Sequence, residues 1–170
     1  TKDAPIVFTA ETDTYDGSGF DLKERGLWGG LIVLGKSTTN NESQERVEGI
    51  PETEPRGFYG GSNAADNSGV LKYISIRHGG SEIGEGNEIN GLTLGGVGTG
   101  TEIDYVEVVA NKDDGIEWFG GTANVKHALV AYAGDDSYDY DQGFQGYGQY
   151  WVAIQDKEDG QGDRLAEQDG

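Results

Sequence analysis

The sequence predicts an all-β fold, a right-handed parallel β-helix (a solenoid) with coils of about 22 residues. Three observations predict it: short Val/Ile-rich runs recur at a near-constant spacing, glycines bracket those runs, and helical periodicity is nearly absent. Glycine supplies 30 of 170 residues, against a usual share of about 7%, and it has no every-third-residue period, which excludes collagen. It falls instead at the ends of apolar runs, where tight corners need positive φ.

The recurrence is direct. Residues 71–77 meet residues 103–109 after 32 positions, residues 125–131 after 22 more, and the 150–154 run after a further 22. Ile76, Val108, Val130 and Val152 then form one column, with Ile74, Val106, Ala128 and Tyr150 beside it. A second series carries residues 91–94 onto 115–118 after 24 positions and onto 137–140 after 22. Residues 5–10 and 31–34 have the same style, and a polar insertion at about 36–57 holds two of the three prolines. Antiparallel hairpins give no reason for residue n to resemble residue n+22. Stacked coils do, because each places like over like about 4.8 Å away.

Dividing length by repeat gives roughly six or seven coils. The right hand follows the strong preference of parallel crossovers. The tail from Asp163 onward is polar and is expected to hold no closing strand. The chain reads as one β-helix domain over residues 1–170, a fragment of something longer.

Charge narrows the functions. There are 31 acidic and 12 basic side chains, a net charge of −19. Nucleic acid is excluded as a partner, since phosphate binding needs a basic face. No run approaches the roughly 18 apolar residues of a transmembrane helix. Without cysteine there is no disulfide framework, thiol catalysis or thiolate metal site. Nine Tyr, five Phe and three Trp argue against disorder despite the acidity.

Four phrases carry a family resemblance. They are Arg25-Gly26-Leu27-Trp28-Gly29-Gly30 with the run to Gly35, Leu71-Lys72-Tyr73-Ile74-Ser75-Ile76-Arg77-His78-Gly79-Gly80, Asp113-Asp114-Gly115-Ile116-Glu117-Trp118-Phe119-Gly120-Gly121, and Gly134-Asp135-Asp136-Ser137-Tyr138-Asp139-Tyr140-Asp141-Gln142-Gly143. Together they resemble exported right-handed β-helix proteins of Bacteroidetes and other Gram-negative bacteria, most of them uncharacterised. The resemblance implies export and an extracellular or cell-surface address. It supplies no activity and no catalytic residues.

The strongest local feature is acidic. Asp113, Asp114 and Glu117 lie one repeat before Asp135, Asp136 and Asp139, with Asp141 close behind. Stacking would set Glu117 over Asp139 on the face opposite Ile116 and Tyr138, and like charges directly opposite one another are destabilising. Two readings stay open. The carboxylates face water or cap Asp-Gly and Asp-Ser corners, or these seven hold a hard cation, calcium, through oxygen ligands.

Gly134-Asp135-Asp136 is similar to a motif of pectin-cleaving β-helix hydrolases, and glycoside hydrolysis uses paired carboxylates. The Asn-Thr-Asp, Gly-His-Gly and Arg-Ile-Lys signatures of those enzymes are absent. Arg77, Lys112 and Lys126 are the bases a lyase would draw on. His78 and His127 occupy different repeat positions, with His127 aligned to Tyr73 and Tyr105, and two unaligned histidines make a poor zinc site. Trp118, Tyr138 and Tyr140 continue an inward column, whereas Trp151 aligns with the outward Ser75, Glu107 and Leu129. An outward Trp151 beside Asp135 and Asp136 would be a sugar-binding surface. Residues 95–100 lack the Lys and helix of a phosphate loop and read as a flexible corner.

The expectation is an exported structural or adhesive β-helix whose wall binds polysaccharide. The alternatives are a polysaccharide lyase or glycoside hydrolase near Asp135, Asp136 and Asp139, and a subunit of an extracellular filament that self-associates through open solenoid ends.

Overall fold

Strand side chains alternate between two faces, so a repeat with two short apolar runs can bury one face of each. The computed structural model describes residues 1–14, 16, 18–41, 44–51, 53–84, 87–156 and 162–169. Its strands are β1 (Ile6–Phe8), β2 (Leu31–Leu34), β3 (Glu45–Arg46), β4 (Phe58–Tyr59), β5 (Val70–Arg77), β6 (Leu92–Gly95), β7 (Glu102–Val109), β8 (Ile116–Phe119), β9 (Val125–Ala131), β10 (Tyr138–Asp141), β11 (Gly148–Ile154) and β12 (Glu167–Asp169). One sheet runs β1-β5-β7-β9-β11 and the other β2-β6-β8-β10-β12. Every neighbouring pair in both is parallel. The fold is a parallel β-helix.

Each coil gives one strand to each five-stranded sheet. The described residues thus form five coils, fewer than the roughly six or seven that length alone suggests. The insertion and the loop between β5 and β6 absorb the difference. The tail also differs from expectation: β12 pairs with β10, setting Glu167 beside Asp139. Among the described residues the outer edges of β1, β2, β11 and β12 meet no further strand. Among the described residues no helix is long and apolar enough to cross a membrane.

The core is a set of columns. Ile76, Val108 and Val130 stack in register, as do Leu92, Ile116 and Tyr138. All six are buried, and each such side chain contributes about 1.5–3 kcal/mol on leaving water. Gly115 shows how close the coils lie, since a Cβ there would sit 2.3 Å from Val130 Cγ1 and 2.6 Å from the Ser137 carbonyl. The corner at residues 95–100 is not loose, because Gly95, Gly96, Val97 and Gly98 are buried.

One column breaks. Val130 pairs with Ala153, not Val152, and Ala128 pairs with Trp151, not Tyr150. The cause is spacing: β9 and β11 pair at a step of 23 residues along their whole length (Val125 with Gly148, Ala131 with Ile154), against 22 between β7 and β9 (Ile103 with Val125). Each of these long strands also carries a left-handed residue: Tyr73 (φ 56°), Tyr105 (φ 54°), His127 (φ 48°) and Tyr150 (φ 62°). The four share one position in the ladder, so the register is the same on either side of them. Left-handed backbone costs about 1–2 kcal/mol per residue. The four rings offset part of that by stacking at 5.0, 4.2 and 4.8 Å up the outside.

Part of the polar insertion packs onto the body of the solenoid. β3 pairs antiparallel with β4, and Val47 and Tyr59 form a small second core with Phe119. At the other flank Arg25 Nε donates to the Tyr132 carbonyl at 2.8 Å, tying the first coil to the fourth.

Candidate cation site

The second sheet carries its chemistry on the outward positions. Thr93, Glu117, Asp139 and Glu167 stack in register across β6, β8, β10 and β12. A second oxygen-bearing column stands at the corners just before β6, β8 and β10: Asn90, Asp114 and Asp136. The ladder fixes their backbones, with Gly91 N–H donating to the Asp114 carbonyl and Gly115 N–H to that of Asp136, both at 2.9 Å. Val47 and Glu48 of the insertion and the loop carrying Asn87, Glu88, Ile89 and Asn90 enclose the two columns in a cavity of about 320 Å³.

Within it, carboxylate oxygens converge. Asp114, Glu117 and Asp139 each place one within 4.8 Å of the others, and so do Asp113, Asp114 and Asp135, and Asp135, Asp136 and Asp163. Counter-charge is sparse: Arg164 pairs with Glu167 and lies 3.7 Å from Asp136. At the rim Lys112 is held by Glu82 at 3.2 Å and Glu88 at 2.9 Å. Asp114 Oδ1 accepts the Asp136 N–H at 2.9 Å. Asn90 Nδ2 donates to Glu117 Oε2.

Burial under the insertion governs the ionisation. It lifts Glu117, only 9% exposed, from 4.5 to about 10, with the Asp114 and Asp139 charges adding to the effect. It likewise lifts Asp114 from 3.8 to about 8, with help from Asp113. Asp113 rises to about 6 through burial and then Asp135. Asp136 also rises to about 6, through burial and a hydrogen bond with Glu167. A site that holds carboxyls this far above their ordinary range favours either a proton or a cation there.

The donor set fits a hard cation. It consists of oxygens, without a nitrogen or sulfur ligand, and calcium takes such sets in flexible geometry. Two buried oxygens in it, Asn90 Oδ1 and Asp139 Oδ1, have no hydrogen-bond partner.

Of the seven expected ligands, Asp113, Asp114, Glu117, Asp135, Asp136 and Asp139 line this one cavity. Asp141 does not: it lies one outward position further along β10, beside Phe119, where its Oδ1 accepts the Gln142 N–H at 2.5 Å. Trp151 is likewise corrected. The register slip turns it inward, where it stacks on Trp118 at 5.0 Å and donates from Nε1 to the Val125 carbonyl at 3.1 Å. It is therefore half-buried against the core on the first sheet, whereas Asp135 and Asp136 precede β10 of the second.

Among the possible bases, Arg77 is held by Ser75 and Glu107. Arg77 and Lys126 both lie on strands of the other sheet, and only Lys112 reaches the cavity rim. His78 rests on the Glu24 carbonyl at 2.6 Å and His127 on Asp104 at 2.8 Å, so they do not converge. Sequence reasoning missed Asn90, Glu167, Glu48 and Glu88. Asn90 was findable, since it precedes Gly91 as Asp114 precedes Gly115.

Five parallel coils with an acidic cavity on one outer face place the protein among the parallel β-helix proteins. The chain belongs to the pectate-lyase-like beta helix domain family, whose model matches residues 1–169. No curated protein and no solved structure matches it.

Proposed function

We propose that this chain is an exported, cell-surface β-helix module that binds polysaccharide, and that a calcium ion in the acidic cavity mediates the contact. The observation that carries the reading is the convergence of carboxyl groups from three successive coils, with two buried oxygens left unpartnered. Without a cation such a cluster repels itself and any acidic polymer. With one, the same oxygens become a bridge to ligand hydroxyl or carboxylate groups. Membership in a pectate-lyase-like family supports a carbohydrate role, and the resemblance to exported Gram-negative proteins supports the address. A stack of coils whose stability accumulates along its length suits a rigid adhesive module.

Hydrolysis is a second reading, favoured by one observation: Glu117 and Asp139 stand side by side in register on adjacent strands, where burial pushes the Glu117 carboxyl up to about 10. A neutral acid next to a second carboxyl is the pair that glycosidic cleavage uses. One experiment separates the two. Calcium is titrated calorimetrically, and the protein is then incubated with acidic and neutral glycans with and without calcium. Binding predicts calcium-dependent retention without turnover, whereas released reducing ends or unsaturated uronates identify an enzyme. Absence of both calcium heat and retention refutes the proposal.

A further inference from the structure

Asn90 departs from the acidic pattern around it. It occupies the column of Asp114 and Asp136, one coil below Asp114, yet it carries an amide. The side chain is 8% exposed and lines the acidic cavity. Its Nδ2 donates to Glu117 Oε2 while its Oδ1 has no partner. A buried amide oxygen without a hydrogen bond is costly, about 1–3 kcal/mol, and calls for a compensating group.

The backbone at this point is fixed from three sides. The Asn111 Nδ2 donates to the Ile89 carbonyl at 3.0 Å, and Gly91 N–H donates to Asp114. Gly30 passes so close that a Cβ on it would sit 2.1 Å from the Asn90 carbonyl oxygen. The amide thus offers a donor, Nδ2, to Glu117 and an open acceptor, Oδ1, in the lining of the cavity.

We infer that Asn90 is a ligand of a cation held by Asp114, Glu117 and Asp139, supplying its unpartnered Oδ1. The inference rests on the calcium reading above and selects this trio, rather than the two nearer the cavity rim, as the principal site. Without the cation, Nδ2 holds the Glu117 carboxyl in place. With it, one neutral and three acidic oxygen donors surround a hard divalent ion, a mixed set typical of calcium.

Two variants test it by calorimetric titration with calcium chloride. Asn90→Leu keeps the size and removes the oxygen, so affinity falls about tenfold or more. Asn90→Asp keeps an oxygen and removes the N–H, so it binds at least as tightly as wild type, while its cation-free form melts lower. Asn90→Leu binding within twofold of wild type overturns the inference, as does Asn90→Asp weakened as much as Asn90→Leu. Should Asn90→Leu not fold, Asn90→Asp alone decides, and a tenfold loss there refutes the role. A wild-type protein that takes up no calcium overturns the underlying reading as well, and that result is distinguishable from failure of Asn90 alone.

Discussion

In the cation-free protein, raising the pH from 5 to 7 lowers stability. Burial, then the Asp113 charge, lifts the Asp114 carboxyl to about 8, against 3.8 in an exposed chain. Between those values the folded protein holds a proton that the unfolded chain has lost. Stability from a raised carboxyl is complete below its unfolded pKa and is lost as pH rises through the folded one. The slope is about 1.4 kcal/mol per pH unit for each such proton, so Asp114 alone removes about 3 kcal/mol between pH 5 and 7. Glu117, lifted to about 10 mainly by burial, adds a loss of the same sign. Urea unfolding followed by tryptophan fluorescence at pH 5, 6 and 7, after removal of cations, reads this as a falling midpoint. Asp114→Asn is the control: its amide oxygen still accepts the Asp136 N–H, but it does not titrate, so its slope is shallower. Saturating calcium needs ionised ligands and opposes the slope. A wild-type midpoint that rises with pH, or an Asp114→Asn slope equal to wild type, refutes the reasoning.

Two further outcomes test the packing. Gly115→Ala places a methyl 2.3 Å from Val130 Cγ1 and is expected to cost about 1–3 kcal/mol by overpacking, read as a lower urea midpoint; an unchanged midpoint contradicts the coil spacing. Trp151→Ala removes the ring stacked on Trp118 and Tyr138 and is expected to cost about 3 kcal/mol while leaving polysaccharide retention intact. Loss of retention with undiminished stability would return Trp151 to the surface.

The columns that were legible in the sequence are those whose chemistry repeats. Ile76, Val108 and Val130 are β-branched at a steady step, and inward packing demands that kind of residue in every coil. Glu117 over Asp139 was legible for the same reason. The failure at Val152 and Trp151 has one cause. The sequence aligned Tyr73, Tyr105 and His127, but their fourth member is Tyr150, and assigning Tyr150 to the inward column shifted the last strand by one residue. A slip of one exchanges the two faces of a strand, so a half-buried tryptophan that packs on the core was read as an outward one. Glu48 and Glu88 lie outside the repeat, in the insertion and a loop, where only tertiary packing brings them to the cavity. Periodicity carries no information about them.

The insertion explains why the carboxyl cluster is more than a solvated face. Left open to water, like charges on adjacent coils would be screened and tolerable. Instead β8 assigns its four residues alternately: Ile116 and Trp118 enter the core, Glu117 faces the cavity, and Phe119 anchors the insertion through Val47 and Tyr59. The apolar foot of the lid therefore stands two residues from the carboxyl that the lid desolvates. Holding Val47 and Glu48 over Glu117 uses hydrophobic contact at Phe119 to maintain an electrostatically unfavourable arrangement, since desolvating a charge without a partner is costly. Such an arrangement is coherent when something positive completes it. A proton does so at low pH and a divalent cation does so at neutral pH, which makes the lid, the raised carboxyls and the unpartnered Asn90 oxygen parts of one site.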